Sequence, residues 1–100
     1  MKSIRFDLYV MEALMPDLVG HDKQPSAFIV YVYFWTRLAL TRARHIQVSH
    51  QTIADDTGLS KSAVQAAVRN LIRRRLVRSR LEFQTAVPEY TLLKPWRDRR

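Results

Sequence analysis

The spacing of hydrophobic positions predicts two helices in the centre of the chain, between residues 49 and 75. The apolar positions of the second helix are Val64, Ala67, Val68, Leu71 and Ile72. A helical period places these positions on one face. Gly58 lies between the two helices, where a helix C-terminus favours a residue that tolerates a positive φ. Ser49 and Ser60 precede the helices as N-caps, because a serine hydroxyl accepts a hydrogen bond from the free amides of the first turn.

The opposite face of the second helix is polar and basic and carries no carboxylate. Its residues are Lys61, Ser62, Gln65, Ala66, Arg69, Asn70 and Arg73. Within it, Ser62, Gln65, Ala66 and Arg69 form one stripe at helical spacing. Gln can pair with adenine and Arg with guanine in bidentate fashion. Because Ser and Ala are small, the stripe also lets the backbone approach the bases, so it suits a nucleic-acid groove.

Residues 26–44 are apolar on nearly every side. The β-branched and aromatic first half favours a strand locally. The length of the apolar pattern and the helix formers that follow predict a helix, capped by Ser26 and with Trp35 in the core. A helix that is apolar all round must be covered on more than one side. The two central helices cover one side, and either the N-terminal segment or a second subunit covers the other.

Residues 1–24 form an N-terminal segment for which two structures are open. Ile4, Leu8, Met11, Met15 and Leu18 follow helical spacing, which predicts a short helix capped by Asp7 and kinked or ended at Pro16. Alternation over residues 4–10 favours a strand instead. We expect the helix, and we regard this segment as a candidate dimerisation element that acts together with the 26–44 helix in a homodimer.

Alternation returns after the second central helix and predicts a β-hairpin. Val77, Ser79, Leu81 and Phe83 alternate with Arg78, Arg80 and Glu82, which predicts a strand over residues 76–83. Residues 84–89 form a loop, residues 90–94 a second strand, and residues 45–48 a short extended segment. Pro95 ends the hairpin, Trp96 packs back on the domain, and residues 97–100 form a mobile basic tail. The predicted organisation is therefore 1–24, 25–95 and 96–100.

Composition narrows the functional classes. The 100 residues are 47% hydrophobic, enough for one packed domain, and they contain no cysteine, which fits a reducing cytoplasmic location. No signal pattern is present, and the longest apolar run is shorter than the about 20 residues that span a membrane.

The net charge is +8. Residues 51–100 hold eleven Lys or Arg and five Asp or Glu, so most of this surplus lies there. Clustered positive charge attracts polyanions.

The central stretch resembles a known family. The residues that carry the resemblance are Ile53, Ala54, Thr57, Gly58, Leu59, Ser60, Val64, Ala67 and Leu71. They are similar to the core of the winged helix-turn-helix DNA-binding domains of bacterial, plasmid or phage regulators and replication initiators. The resemblance extends over about residues 25–95. It implies a mostly α fold with a small β-hairpin wing, with the 60–75 helix in the major groove and the 76–94 wing on the DNA backbone.

We therefore expect a protein that binds double-stranded DNA, most simply a transcriptional regulator. The candidate DNA-binding residues are Ser49, Gln51, Thr52, Ser60, Lys61, Ser62, Gln65, Ala66, Arg69, Arg73, Arg78 and Arg80. The alternatives are a replication initiator module and a protein-interaction winged helix without DNA binding; RNA binding is a third reading. No nucleophile–base pair or paired carboxylate set stands out, and His45 and His50 are five positions apart, outside the spacing of a helical metal pair. We expect no enzymatic activity, no cofactor and no metal.

Overall fold

The computed structural model of the protein describes residues 1–83 and 87–98. Its described part is mostly helical, with one small antiparallel sheet. The helices are two N-terminal π-helices, Val10–Leu14 and Pro16–His21, then α1 (Pro25–Thr41), α2 (His50–Thr57), α3 (Lys61–Arg73) and a 3-10 turn, Pro95–Asp98. The strands β1 (His45–Gln47), β2 (Val77–Arg80) and β3 (Glu89–Leu92) form a sheet in the order β1-β3-β2. The predicted combination of helices with a small sheet is confirmed.

The hairpin strands are shorter than predicted. β2 ends at Arg80 instead of residue 83, and β3 begins at Glu89 and ends at Leu92 instead of spanning 90–94. β3 lies between the other two strands and pairs antiparallel with each of them, for example through Tyr90 with Ile46 and with Ser79. Residues 84–86 of the predicted loop and residues 99–100 of the predicted tail lie outside the described residues. No helix within the described ranges is long and apolar enough to cross a membrane.

Helix α1 lies at the centre of the core. Ala27, Val30, Tyr31, Phe34 and Trp35 are all buried, which confirms the predicted core position of the tryptophan. The predicted cap at Ser26 is wrong. The helix begins at Pro25, whose fixed φ suits the first helical position, and its N-cap residue makes no side-chain cap hydrogen bond. The helix ends at Thr41 rather than 44, because the next residue, Arg42, adopts a left-handed φ of 55°.

The N-terminal segment is helical from residue 8, but its buried face differs from the predicted one. Val10, Leu14 and Leu18 are buried, whereas Leu8 and Met11 are exposed. The reason is the π-helical geometry: the Met15 amide donates to the Val10 carbonyl, five residues back. A π-helical turn holds more residues than an α-helical turn, so side chains four positions apart, such as Val10, Leu14 and Leu18, lie on the same face.

The N-terminal π-helices fold back onto α1. Their buried residues belong to the same hydrophobic core as those of α1, α3 and the sheet. A folded-back segment was the alternative to a second subunit for covering this side of α1. The homodimer itself stays a prediction.

Two residues at the chain ends, Asp7 and Arg97, have roles that the sequence did not predict. The carboxylate of Asp7 does not cap a helix: it accepts hydrogen bonds from Trp96 Nε1 at 2.8 Å and from the Arg97 guanidinium at 2.7 and 2.6 Å. Trp96 also stacks on Tyr9, with ring centroids 4.6 Å apart. Trp96 therefore packs back as predicted, while Arg97 is ion-paired instead of free in a basic tail. The Arg97 guanidinium lowers the pKa of Asp7 to about 2.

The two central helices form as predicted, except that α3 ends at Arg73 instead of residue 75, because Arg75 adopts a left-handed φ of 58°. Ser49 Oγ accepts a hydrogen bond from the Thr52 amide, and Ser60 Oγ accepts one from the Ala63 amide, each at 3.1 Å. Gly58 adopts a φ of 81° and donates its amide proton to the Ala54 carbonyl at 2.9 Å. These local contacts fix where α2 ends and where α3 begins.

Two assignments on α3 are wrong. The helical spacing predicts Asn70 on the polar face and Ile72 on the buried face, yet Asn70 is only 4% exposed and Ile72 is 41% exposed. The cause is a polar cluster at the end of α3. Asn70 Nδ2 donates to Asp22 Oδ2 at 3.1 Å, and the Arg74 guanidinium binds both oxygens of the same carboxylate at 2.8 and 2.7 Å. This cluster ties the linker before α1 to the end of α3.

We expect Asp22→Asn to lower the free energy of unfolding by about 2–3 kcal/mol, because it leaves Arg74 without its buried charged partner. Asp17→Asn is the matched control. Asp17 lies 3.9 Å from the same guanidinium, but its side chain is 51% exposed against 5% for Asp22. Its replacement should cost less than about 0.5 kcal/mol. Urea unfolding of the two variants measures the difference, and equal losses would contradict the assignment.

Candidate nucleic-acid interface

The outward face of α3 displays most of the residues that were assigned to base recognition. Lys61, Ser62, Arg69 and Arg73 are exposed, and Gln65 and Ala66 are half-buried. The opposite face buries Val64, Val68 and Leu71 in the core. Because the apolar stripe is held against α1, the polar stripe points away from the domain. The serine hydroxyls at the start of the helix lie close together, with Ser60 Oγ 3.3 Å from Ser62 Oγ.

Helix α2 contributes the second group of predicted residues. Ser49 is committed to capping, and its hydroxyl also donates to Thr52 Oγ1 at 3.0 Å. Gln51 and Thr52 are exposed. The amide of Gln51 donates from Nε2 to Asp55 Oδ1 at 2.9 Å. The start of α2 therefore presents polar groups, some of which already have partners within the helix.

The hairpin arginines lie on a different surface from the stripe of α3. Ser79 and Leu81 line a groove beside α3, together with Gln65. Successive side chains of a strand point to opposite faces, so Arg78 and Arg80 point to the outer face of the sheet. The structure therefore brings the predicted residues of α3 together. It places the two hairpin arginines on the face of β2 that points away from α3.

The basic side chains divide into paired and unpaired groups. Arg37, Arg74 and Arg97 each form an ion pair with an aspartate. Within the described part of the chain, no carboxylate lies within 4.0 Å of the cationic groups of five predicted residues, namely Lys61, Arg69, Arg73, Arg78 and Arg80. Arg73 donates a hydrogen bond to Asn70 Oδ1. Lys61, Arg69 and Arg73 thus give the α3 face positive charge that no described carboxylate within 4.0 Å compensates.

A groove of about 480 Å³ runs between α3 and the hairpin. Two residues of its lining, His50 and Tyr90, are not among the candidate residues predicted from the sequence, and they lie 40 positions apart. His50 Nε2 and the Tyr90 hydroxyl are hydrogen-bonded at 3.0 Å. Burial, followed by the charges of Lys61 and Arg69, lowers the pKa of His50, and burial raises the pKa of Tyr90 to about 12. No local pattern in the sequence signals such a pair.

Comparisons with known proteins do not assign the chain to a family. No protein-family model matches the chain, and neither a curated protein nor a solved structure matches it. The functional interpretation therefore rests on the geometry of the described residues.

The position of His50 predicts a pH dependence of stability. In the unfolded chain its pKa is near 6.5, and in the folded chain it is lower. The unfolded state therefore binds a proton at His50 more readily than the folded state does. The contribution of the neutral His50 side chain to the free energy of unfolding is complete above pH 6.5 and is lost as the pH falls below that value. We expect the wild type to lose more stability than His50→Gln between about pH 7.5 and pH 5.5. Chemical unfolding at both pH values measures this, and parallel losses would contradict it.

Proposed function

We propose that the chain is a winged helix-turn-helix protein that binds double-stranded DNA and acts as a transcriptional regulator. The observation that carries the proposal is the outward face of α3. It presents Ser62, Gln65, Arg69 and Arg73 without a carboxylate, opposite a stripe that is buried against α1. A helix with one side fixed in the core and a basic, hydrogen-bonding side turned outward is the arrangement that enters a major groove.

The order of the elements supports this proposal. A short strand, two helices joined by a glycine turn and then two strands follow α1. This is the order expected of a winged helix, in which the hairpin after the second central helix is the wing. In the proposal α3 occupies the major groove and residues 76–94 rest on the DNA backbone. The three-residue β1 supports the wing by pairing with β3.

The basic and polar residues of α3 and β2 have proposed roles that follow from their places in the fold. Gln65 and Arg69, near the middle of the exposed stripe, read base edges. Ser62 and Ala66 have small side chains, so that the backbone of α3 can come close to the bases. Lys61 and Arg73 flank the stripe at the two ends of α3 and contact phosphates. Arg78 and Arg80 reach phosphates where the DNA backbone passes the outer face of the sheet.

The same interface would serve a replication initiator module. A separate observation favours the alternative of a protein-interaction winged helix. The groove beside α3 is lined partly by apolar side chains, among them Ile72 and Leu81, the latter 51% exposed. Apolar anchors of this kind are typical of protein interfaces. Binding that requires these two residues but not Arg69 would favour this alternative over DNA recognition.

The homodimer remains part of the proposal. The outer side of the N-terminal helical segment exposes the large apolar residues Leu8, Met11, Met15 and Val19. Ile29 and Leu40 of α1 are exposed as well. A second subunit that covered these residues would bring two α3 helices onto one duplex, where half-sites lie about one helical turn apart.

We predict that base discrimination depends on Arg69 and that Arg78 supplies affinity alone. The binding site is first selected from a random DNA pool, and each variant is then titrated with the selected and a scrambled duplex at one salt concentration. Arg69→Ala should reduce the ratio of the two affinities by about 10-fold or more, because a bidentate base contact is worth about 1–3 kcal/mol. Arg78→Ala should weaken both duplexes by similar factors.

Arg44→Ala is the control, since Arg44 lies near the end of α1 and lines a pocket to which α2 and α3 contribute no residue. It should leave both affinities close to those of the wild type. An unchanged ratio in Arg69→Ala, together with a collapsed ratio in Arg78→Ala, would reverse the assignment of reading helix and supporting wing. A pool that yields no enriched sequence would refute specific DNA recognition.

We further predict that DNA binding depends strongly on salt. If the five cations Lys61, Arg69, Arg73, Arg78 and Arg80 each neutralise one phosphate, log K should fall with log salt at a slope of about −4 to −5. Arg73→Gln should reduce the magnitude of this slope by about 1. Anisotropy titrations over a series of salt concentrations measure both values. A slope near zero on duplex DNA would count against the proposed electrostatic contacts.

A further inference from the structure

A second open pocket lies where α1 ends, away from the exposed face of α3. It has a volume of about 490 Å³. Helix α1 contributes Trp35, Leu38 and Ala39 to its wall, and the chain after β3 contributes Lys94 and Arg97. None of its lining residues comes from α2 or α3. Its size falls within the range of about 300–1,000 Å³ that is usual for small-molecule sites.

Two cations lie against the same aromatic ring in this pocket. Lys94 Nζ is 4.2 Å from the centroid of the Trp35 ring, and the Arg97 guanidinium carbon is 5.7 Å from it. The charge of Arg97 is balanced by Asp7, whose carboxylate it binds at 2.6 Å. Over residues 1–83 and 87–97, no carboxylate lies within 4.0 Å of Lys94 or of Arg44, the third cation of the lining.

The pocket therefore carries a surplus of positive charge. Among the residues whose side chains the structure describes, which exclude Asp98, the lining includes no Asp or Glu. The C-terminal end of α1 brings the negative end of the helix dipole, which is equivalent to about half an elementary charge. Lys94 and Arg44 together exceed it. Burial, followed by the charge of Arg97, lowers the pKa of Lys94, and the opposing charge of Asp7 does not cancel this effect.

The walls of the pocket are mostly apolar. Leu38, Ala39 and Ala43 lie on the side of α1, and Leu92 and Leu93 lie on the side of β3. An inorganic anion would leave this surface uncovered, while an uncharged apolar molecule would leave Lys94 without a counter-charge. A molecule that combines a carboxylate with an apolar body satisfies both parts of the site.

We propose that this pocket binds a small organic anion, a carboxylate attached to an apolar body, with the carboxylate on Lys94 and Arg44 and the body against Leu38, Ala39 and Leu92. The site shares no residue with the proposed DNA interface, although Thr91 in its wall is the strand partner of Arg78.

Calorimetric titration with three probes tests the ligand class. Hexanoate has both parts, hexanamide has the same length without the charge, and acetate has the charge without the body. We expect hexanoate to bind at least about 10-fold more tightly than either of the others. Equal binding of hexanoate and hexanamide would overturn the role of the carboxylate charge. Equal binding of hexanoate and acetate would overturn the role of the apolar chain. The absence of any binding of hexanoate at about 10 mM would refute the site.

Three variants test the location. Lys94→Gln removes the charge and should weaken hexanoate at least about 10-fold. Ala39→Leu fills the pocket from an exposed helical position, which should weaken hexanoate similarly without disturbing the fold. Lys61→Gln, on α3, is the matched control and should bind as the wild type does. Unfolding curves establish that each variant is folded. If Lys94→Gln fails to fold, Ala39→Leu decides alone, and wild-type binding by that variant would refute the location.

Discussion

The covering of α1 is the constraint on which the rest of the structure depends. This helix is apolar on nearly every side, so that it cannot be stable until other elements enclose it. The N-terminal π-helices supply Val10, Leu14 and Leu18 to one side, and α3 supplies its apolar stripe to another. The sheet closes a further side, where Phe34 meets Tyr90 with ring centroids 5.0 Å apart. One continuous core results, and each surrounding element is oriented by the face that it gives to α1.

The orientation of α3 follows from this core, and with it the candidate interface. Because Val64, Val68 and Leu71 are used against the core, the stripe that contains Gln65 and Arg69 has no alternative but to face outward. The polar cluster at the end of α3 adds a second restraint, since Asp22 holds both Asn70 and Arg74. The orientation of the exposed face of α3 is therefore set by core contacts and by the Asp22 cluster, to which Arg73 is joined through its hydrogen bond to Asn70.

Position in the fold, more than residue type, separates the roles of the basic residues. Arg74 and Arg97 neutralise buried or half-buried aspartates and hold chain segments together. Lys61 and Arg69 lack such partners within the described residues and remain available to a polyanion. Lys94 is a third case, because it lies over Trp35 in an apolar pocket. The net charge of +8 counts all of these side chains alike, although the fold gives them three different kinds of surroundings.

The sequence by itself determined the features that act within one helical turn: the caps at Ser49 and Ser60, the turn at Gly58 and the polar stripe of α3. Their hydrogen bonds join residues three or four positions apart, so local spacing is enough to predict them. Only the tertiary structure decided which partners lie across the fold. Asn70 is buried by an aspartate 48 positions away, the His50–Tyr90 pair spans 40 positions, and Asp7 meets Arg97 across 90. Such contacts depend on how the elements enclose α1, a property of the whole chain that no local period of hydrophobic and polar residues contains.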